Sequence, residues 1–228
     1  LETIEYTHLK KPSYLFEKAF LYRVFLSFSL FLIISQKTKS MQYKAVLFDM
    51  DGTLVDSEEH NLIAAIELFK RHGHTVTAED FKPFVGGGAL KYIGGVAEKY
   101  NIDFSSMEEA KAELYEIYDE VVKGQVFPVK GSHELIKQCK DKGLKIAVAT
   151  SADWIKLTSN LREFGKDAEF FDAIVQGLEI VHKKPHPETF LKAAGKLGLS
   201  PDECIVFEDA INGVESAKAG GFTCVGVM

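Results

Sequence analysis

Three cysteines, six prolines and no surplus of basic charge mark what this 228-residue chain does without. Cys139, Cys204 and Cys224 are odd in number and scattered through periodic segments, which excludes a disulfide framework and offers no pair at metal-ligand spacing. A reducing cytoplasm is the simplest compartment for such a chain. With so little proline beside 18 glycines and 46% hydrophobic residues, collagen-like and largely disordered classes are excluded. A formal charge of −6 argues against a general nucleic-acid binder, which needs basic excess to neutralise phosphates. Neither a Walker-type phosphate loop nor a dinucleotide fingerprint occurs, so no nucleotide cofactor is inferred, and the seven histidines form no zinc pattern.

Glycine is missing altogether from residues 1–40. That stretch carries a net charge of +3 and 8 of the 26 aromatics, leaving −9 on residues 41–228. Its apolar run, Phe20 to Ser35, would make a helix of about 24 Å, short of the roughly 30 Å hydrocarbon core of a membrane. No small-x-small cleavage site follows it. Residues 1–40 read either as an upstream extension outside the working protein or as a signal or anchor, with Met41 as the natural start. The last segment, Phe222 to Val227, reads as a strand, and ending there suggests a truncated C-terminus.

From residue 41 onward, short apolar runs alternate with helical periodicity. Lys44–Phe48, Lys145–Ala149, Ala173–Val175, Cys204–Phe207 and residues 222–227 read as strands covered on both faces. Helical patterns at 132–142, 153–163, 187–197 and 211–219 separate them. This order predicts a doubly wound parallel α/β sheet. Between the first two strands lie almost 100 residues with helical patterns only, at 57–72, 89–100 and 106–123. They predict an inserted all-α module at 58–126 within a core made of 41–57 and 127–228.

Ligands of a doubly wound sheet bind beyond the carboxyl ends of its strands. After the first strand comes Asp49-Met50-Asp51-Gly52-Thr53, two carboxylates at i and i+2 that an extended chain sends to one side. Two like charges together need a cation or a shared proton, although a plain turn also favours Asp and Gly. The second strand is followed by Thr150-Ser151, either a phosphoryl-oxygen site or a helix cap. After the third comes Lys183-Lys184-Pro185-His186-Pro187, where the residue before proline is held extended. Glu208-Asp209 follow the fourth, favoured by a helix dipole but also suited to Mg²⁺, a hard cation that takes carboxylates and phosphate oxygens. Together the four ends supply four carboxylates, a hydroxyl and a lysine, the set that phosphoryl transfer needs.

With these motifs the chain resembles the haloacid dehalogenase superfamily, in its capped phosphatase and β-phosphoglucomutase-like branch. The resemblance runs over residues 43–228. It implies Asp49 as the nucleophile forming an aspartyl-phosphate, Asp51 as general acid and then base, and Thr150 and Lys184 as phosphoryl ligands. It implies Mg²⁺ held by Asp49, Glu208, Asp209 and the Asp51 carbonyl, and makes the 58–126 insert a cap closing over the site. Ser57, Asn61, Gly86, Gly87 and Ser151 are the implied substrate contacts. Two departures stand out: Asn61, with His60 before it, replaces a histidine usual in the mutases, and Gly86-Gly87-Gly88-Ala89-Leu90 lacks their cap-loop arginine, with Lys91 the nearest cation. The resulting expectation is a Mg²⁺-dependent phosphatase of small phosphorylated metabolites, with sugar phosphates foremost. A hexose-phosphate mutase and a non-catalytic regulatory module are the alternatives. No nucleic-acid partner is expected, and no membrane for the catalytic part.

Overall fold

The computed structural model describes residues 43–85 and 88–227. The expectations for residues 1–40 and for Gly86 and Gly87 therefore lie outside the described residues. Five parallel strands form the central sheet: β1 (Ala45–Phe48), β4 (Lys145–Ala149), β5 (Ala173–Val175), β6 (Cys204–Glu208) and β7 (Thr223–Gly226), in the spatial order β5-β4-β1-β6-β7. This is the doubly wound α/β class that the alternating pattern predicts. β1 lies at the centre, and all four of its residues are buried, which is why it reads as an unbroken apolar run.

Each face of β1 meets a different layer. Ala45 and Leu47 pack with Ala147, Ala149, Val206, Phe190, Ala193 and Ala194 in one core cluster. Val46 and Phe48 alternate to the opposite face, where the Phe48 and Phe207 rings lie 5.5 Å apart. Phe190 and Ala194 belong to helix α7 (Glu188–Leu197), whose turn back to the sheet uses Gly198 at φ +70°.

Helices α5 (Ser132–Asp141) and α6 (Trp154–Phe164) flank β4 along the chain, and α8 (Ile211–Ala219) follows β6. Helices α1 (Glu58–Arg71), α2 (Ala78–Phe81), α3 (Ala89–Tyr100) and α4 (Met107–Val122) occupy the long interval after β1. Helix α1 has Glu58 and Glu59 in its first turn and Lys70 and Arg71 in its last, matching the helix dipole at both ends. It buries Ala64, Ala65, Leu68 and Phe69, and packs along α4.

The short helix α2 and one pair of strands are absent from the sequence reading. β2 (Val55–Asp56) and β3 (Phe127–Pro128) pair antiparallel, so the chain leaves and rejoins the core through a two-stranded ribbon at the foot of the inserted helices. Two residues per strand give no periodicity to detect.

Leu47 is fully buried at the centre of the sheet. Leu47→Ala is expected to cost about 2–5 kcal/mol of unfolding free energy. Urea denaturation followed by circular dichroism checks it, with a lowered midpoint at an unchanged slope.

Candidate active site

Parallel pairing of β1 with β6 sets Phe48 beside Phe207, so Asp49 and Glu208 emerge side by side at the carboxyl edge of the sheet. The Asp49 N–H donates to the Phe207 carbonyl at 2.9 Å, carrying the ladder one residue past the strand. Both acids are buried. Between them sits Lys184, whose Nζ lies 2.5 Å from Asp49 Oδ1 and 2.6 Å from Glu208 Oε2. The other Glu208 oxygen, Oε1, accepts the Ala210 N–H at 3.0 Å. Asp209 accepts the Thr53 hydroxyl on Oδ1 at 3.3 Å.

Oxygen atoms of Asp49, Glu208 and Asp209 all lie within 4.8 Å of one another. Among the described residues one ammonium, that of Lys184, pairs with two of these three carboxylates. Burial works against the Lys184 charge, but Asp49 and Glu208 outweigh it and push that amine up to about 12. The excess negative charge shows on the acids. Burial, with Glu208 and Asp51 nearby, lifts the Asp49 carboxyl above its ordinary value despite the opposing pull of Lys184. Burial and Asp49 likewise push Asp209 up to about 6. Lys184 stays charged under these conditions, because it answers two acids at once. Three hard oxygen donors with one cation among them suit a divalent ion of the Mg²⁺ kind.

Asp51 has different surroundings. The chain turns at Gly52 (φ +77°), whose N–H donates to the Val55 carbonyl at 2.8 Å, and an isolated bridge joins Asp51 to Val55. The Asp51 carboxylate stands outside the acidic trio. Oδ1 receives Lys156 Nζ at 2.7 Å, Asn160 Nδ2 at 3.0 Å and the Ser57 hydroxyl. Burial would raise this carboxyl, but Lys156 and the hydrogen bonds hold it below its usual value. Two aspartates separated by one residue are thus pushed in opposite directions.

Thr150 is buried at the end of β4, with Oγ1 accepting the Ala152 N–H at 3.0 Å. Of the two adjacent lysines, Lys184 reaches the acids. Lys183 turns instead to the Ser151 carbonyl at 3.2 Å and the Gly177 carbonyl at 2.9 Å. Ser57, grouped above with the substrate contacts, is fully buried and serves Asp51. Asn61 lies half-buried in the first turn of α1, its N–H bonded to the Ser57 carbonyl at 3.0 Å. Beside it, His60 Nδ1 is buried without a hydrogen-bond partner.

Lys156, Asn160 and Tyr118 escape the sequence reading. Their signal is weak but present. Lys156 and Asn160 are one helical turn apart, on the same buried face of α6 as Leu157, Leu161 and Phe164. A polar pair in an apolar stripe needs a partner.

A family model described as haloacid dehalogenase-like hydrolase matches residues 43–221. The chain belongs to this family. It is 45% identical over 187 residues to Protein SUPPRESSOR OF QUENCHING 1, chloroplastic, of Arabidopsis thaliana, covering 80% of this chain but 18% of that much longer protein. It is 30% identical over 178 residues to the Phosphorylated carbohydrates phosphatase of Thermotoga maritima, covering 78% of this chain and 82% of the relative. Among solved structures, CbbY from Rhodobacter sphaeroides in complex with xylulose-(1,5)bisphosphate superposes with a TM-score of 0.75 at 27% identity, covering 80% and 85% of the two chains. As a haloacid dehalogenase-like hydrolase with phosphatase relatives, the chain is a phosphoric monoester hydrolase.

The charge balance gives a test. Asp209 rises from an ordinary value of 3.8 to about 6 on folding, so its ionisation opposes folding once the pH passes the ordinary value. In EDTA, Asp209→Asn is expected to be more thermostable than the parent. That advantage should be absent near pH 4, grow up to about pH 6 and then level off. Stabilisation by added Mg²⁺ at pH 7 should be weakened in the same variant. Melting curves across pH, with and without Mg²⁺, measure both effects.

Proposed function

We propose that the chain is a Mg²⁺-dependent phosphatase of small phosphorylated metabolites, sugar phosphates foremost, working through an aspartyl-phosphate on Asp49. The observation that carries this reading is the meeting of Asp49, Lys184, Glu208 and Asp209 at one edge of the sheet, with Asp51 two residues along. The carbohydrate-phosphate names of the Thermotoga relative and of the CbbY complex support the substrate class.

Asp49 attacks phosphorus, forming an O–P bond as the bond to the leaving oxygen breaks. Asp51, a carboxylate in the free protein, takes up a proton with the incoming phosphate ester and donates it to that oxygen. The carboxylate so formed then takes a proton from a water molecule, whose oxygen attacks the phosphoryl group and frees Asp49. Lys184 balances charge on the nucleophile and on the phosphoryl oxygens, and Thr150 offers a hydroxyl to the same group. Mg²⁺, when bound, would offset negative charge on nucleophile and phosphoryl group alike, and Asp49, Glu208, Asp209 and the Asp51 carbonyl are the groups that would hold it.

The inserted helices act as the cap that excludes water and selects the substrate. Tyr118 of α4 already reaches the core, donating to Asn160 Oδ1 at 2.6 Å. Among the described residues no helix is long and apolar enough to cross a membrane. The three cysteines are unpaired, which supports a reducing compartment, and the chloroplastic name of the Arabidopsis relative extends that reading to an organelle.

A panel of phosphomonoesters with Mg²⁺ tests the proposal by phosphate release. Asp49→Asn should lower kcat by at least about 10⁴-fold on every substrate that the parent turns over. An active Asp49→Asn protein would refute the nucleophile assignment. Conversion of β-glucose 1-phosphate to glucose 6-phosphate faster than phosphate release would instead make the chain a mutase.

A further inference from the structure

Among the described residues, the reaction above leaves the buried cation Lys156 unused. Lys156 is 7% exposed, on the apolar face of α6 beside Leu157 and above Leu161. An ammonium in such a place costs folding free energy unless it is paired. Its partner is Asp51 Oδ1 at 2.7 Å. Asn160, one turn further along the same helix, reaches the same oxygen at 3.0 Å, and Ser57 reaches it from the start of α1. Asn160 is itself fixed, because its Oδ1 accepts the Tyr118 hydroxyl at 2.6 Å. That bond decides which end of the amide faces Asp51. The Tyr118 ring lies 5.1 Å from Lys156 Nζ and covers the ammonium from the α4 side.

Three donors thus converge on Oδ1 from two elements. A carboxyl pinned through one oxygen has lost its rotational freedom, which leaves Oδ2 for proton transfer. We propose that Lys156 is the positioning residue for Asp51, its ion pair to Oδ1 fixing the carboxyl so that the second oxygen serves the leaving group. Asn160 backs Lys156 from the next turn. Lys156 itself does not touch the substrate. The proposal rests on the phosphatase reading, and it adds a residue outside the four strand-end motifs.

A purely structural ion pair would also be damaged by mutation, so the decisive readout is dependence on the leaving group. A sugar alcohol leaves only with a proton, whereas para-nitrophenolate leaves without one. Two substrates serve as probes: para-nitrophenyl phosphate and the sugar phosphate that the parent turns over fastest in the panel. Lys156→Met is expected to lower kcat on the sugar phosphate by about 10²-fold and on para-nitrophenyl phosphate by less than about tenfold, with little change in KM. In an Asp51→Asn background the same substitution should produce no further loss on the sugar phosphate, since Lys156 acts through Asp51.

Equal losses on both substrates, or additive losses in the double variant, would overturn the proposal while leaving the phosphatase reading intact. A parent chain inert toward both substrates would instead sink the phosphatase reading and this one with it. Lys156→Gln keeps a polar group and removes the charge, and serves by the same two readouts if Lys156→Met is unfolded at the assay temperature. If both variants are unfolded there, Lys156 is a folding residue and the proposal fails.

Discussion

A single ammonium held between two buried carboxylates organises the catalytic edge of this protein. Lys184 bridges Asp49 and Glu208, and all three are shielded from water. Removing one member of such a group strands uncompensated charge, a cost of about 3–5 kcal/mol. The arrangement needs β1 and β6 to be neighbours, parallel, and in the register that sets Phe48 beside Phe207. It also needs the segment after β5 to return over that same edge. A doubly wound sheet meets these demands together, because every strand in it points the same way. Charge, however, is left over. Among the described residues Asp209 joins the two acids without a second lysine, and burial first, then the neighbouring acids, raises the Asp49 and Asp209 carboxyls. A bound divalent cation would offset that charge.

Asp51 shows how the same local sequence produces an opposite environment. Asp49 sits among acids and is raised, while Asp51 sits among donors and is lowered. These directions belong to the ion-free protein: a cation offsetting charge beside Asp49 would return it toward the carboxylate its attack needs, and Asp51 must take up a proton before it can give one. Past Asp51 the chain turns at Gly52, and the Asp51 carboxylate meets Ser57 and the α6 side chains Lys156 and Asn160.

Much of this was legible in the order of residues, and what was not has a physical cause. Strands with both faces buried read as apolar runs, and acids, hydroxyl and lysine just after those runs could be assigned to one edge before any coordinates. Lys184 was preferred over Lys183 because it directly precedes proline, and in the structure Lys184 takes the acids while Lys183 takes two backbone carbonyls. Hidden from such reading were contacts made across the fold from helices. Lys156 belongs to a helix whose pattern marks an inward face but not what lies behind it. Ser57 precedes a helix, and nothing in its local sequence tells that its hydroxyl is given to Asp51. The β2–β3 ribbon joins residues about 70 positions apart, and no local pattern carries that pairing.

The two motif glycines show that spacing rules can hold a spatial constraint rather than a conformational one. Gly52 follows the paired aspartates of the first motif, and Gly213 follows Glu208-Asp209 in the fourth. A Cβ on Gly52 would overlap the Asp209 carboxylate, and a Cβ on Gly213 would overlap the Glu208 carboxylate. Gly52 also needs its positive φ, so turn geometry alone could account for it. Gly213 has no such excuse. It lies inside α8, where glycine costs about 1 kcal/mol relative to alanine. The helix accepts that loss at the point where its backbone approaches Glu208, and the space gained lets the Glu208 side chain hold Lys184 and the Ala210 N–H at once. The glycine in the fourth motif is therefore part of the charge arrangement around Lys184, although it carries no charge and touches no ligand.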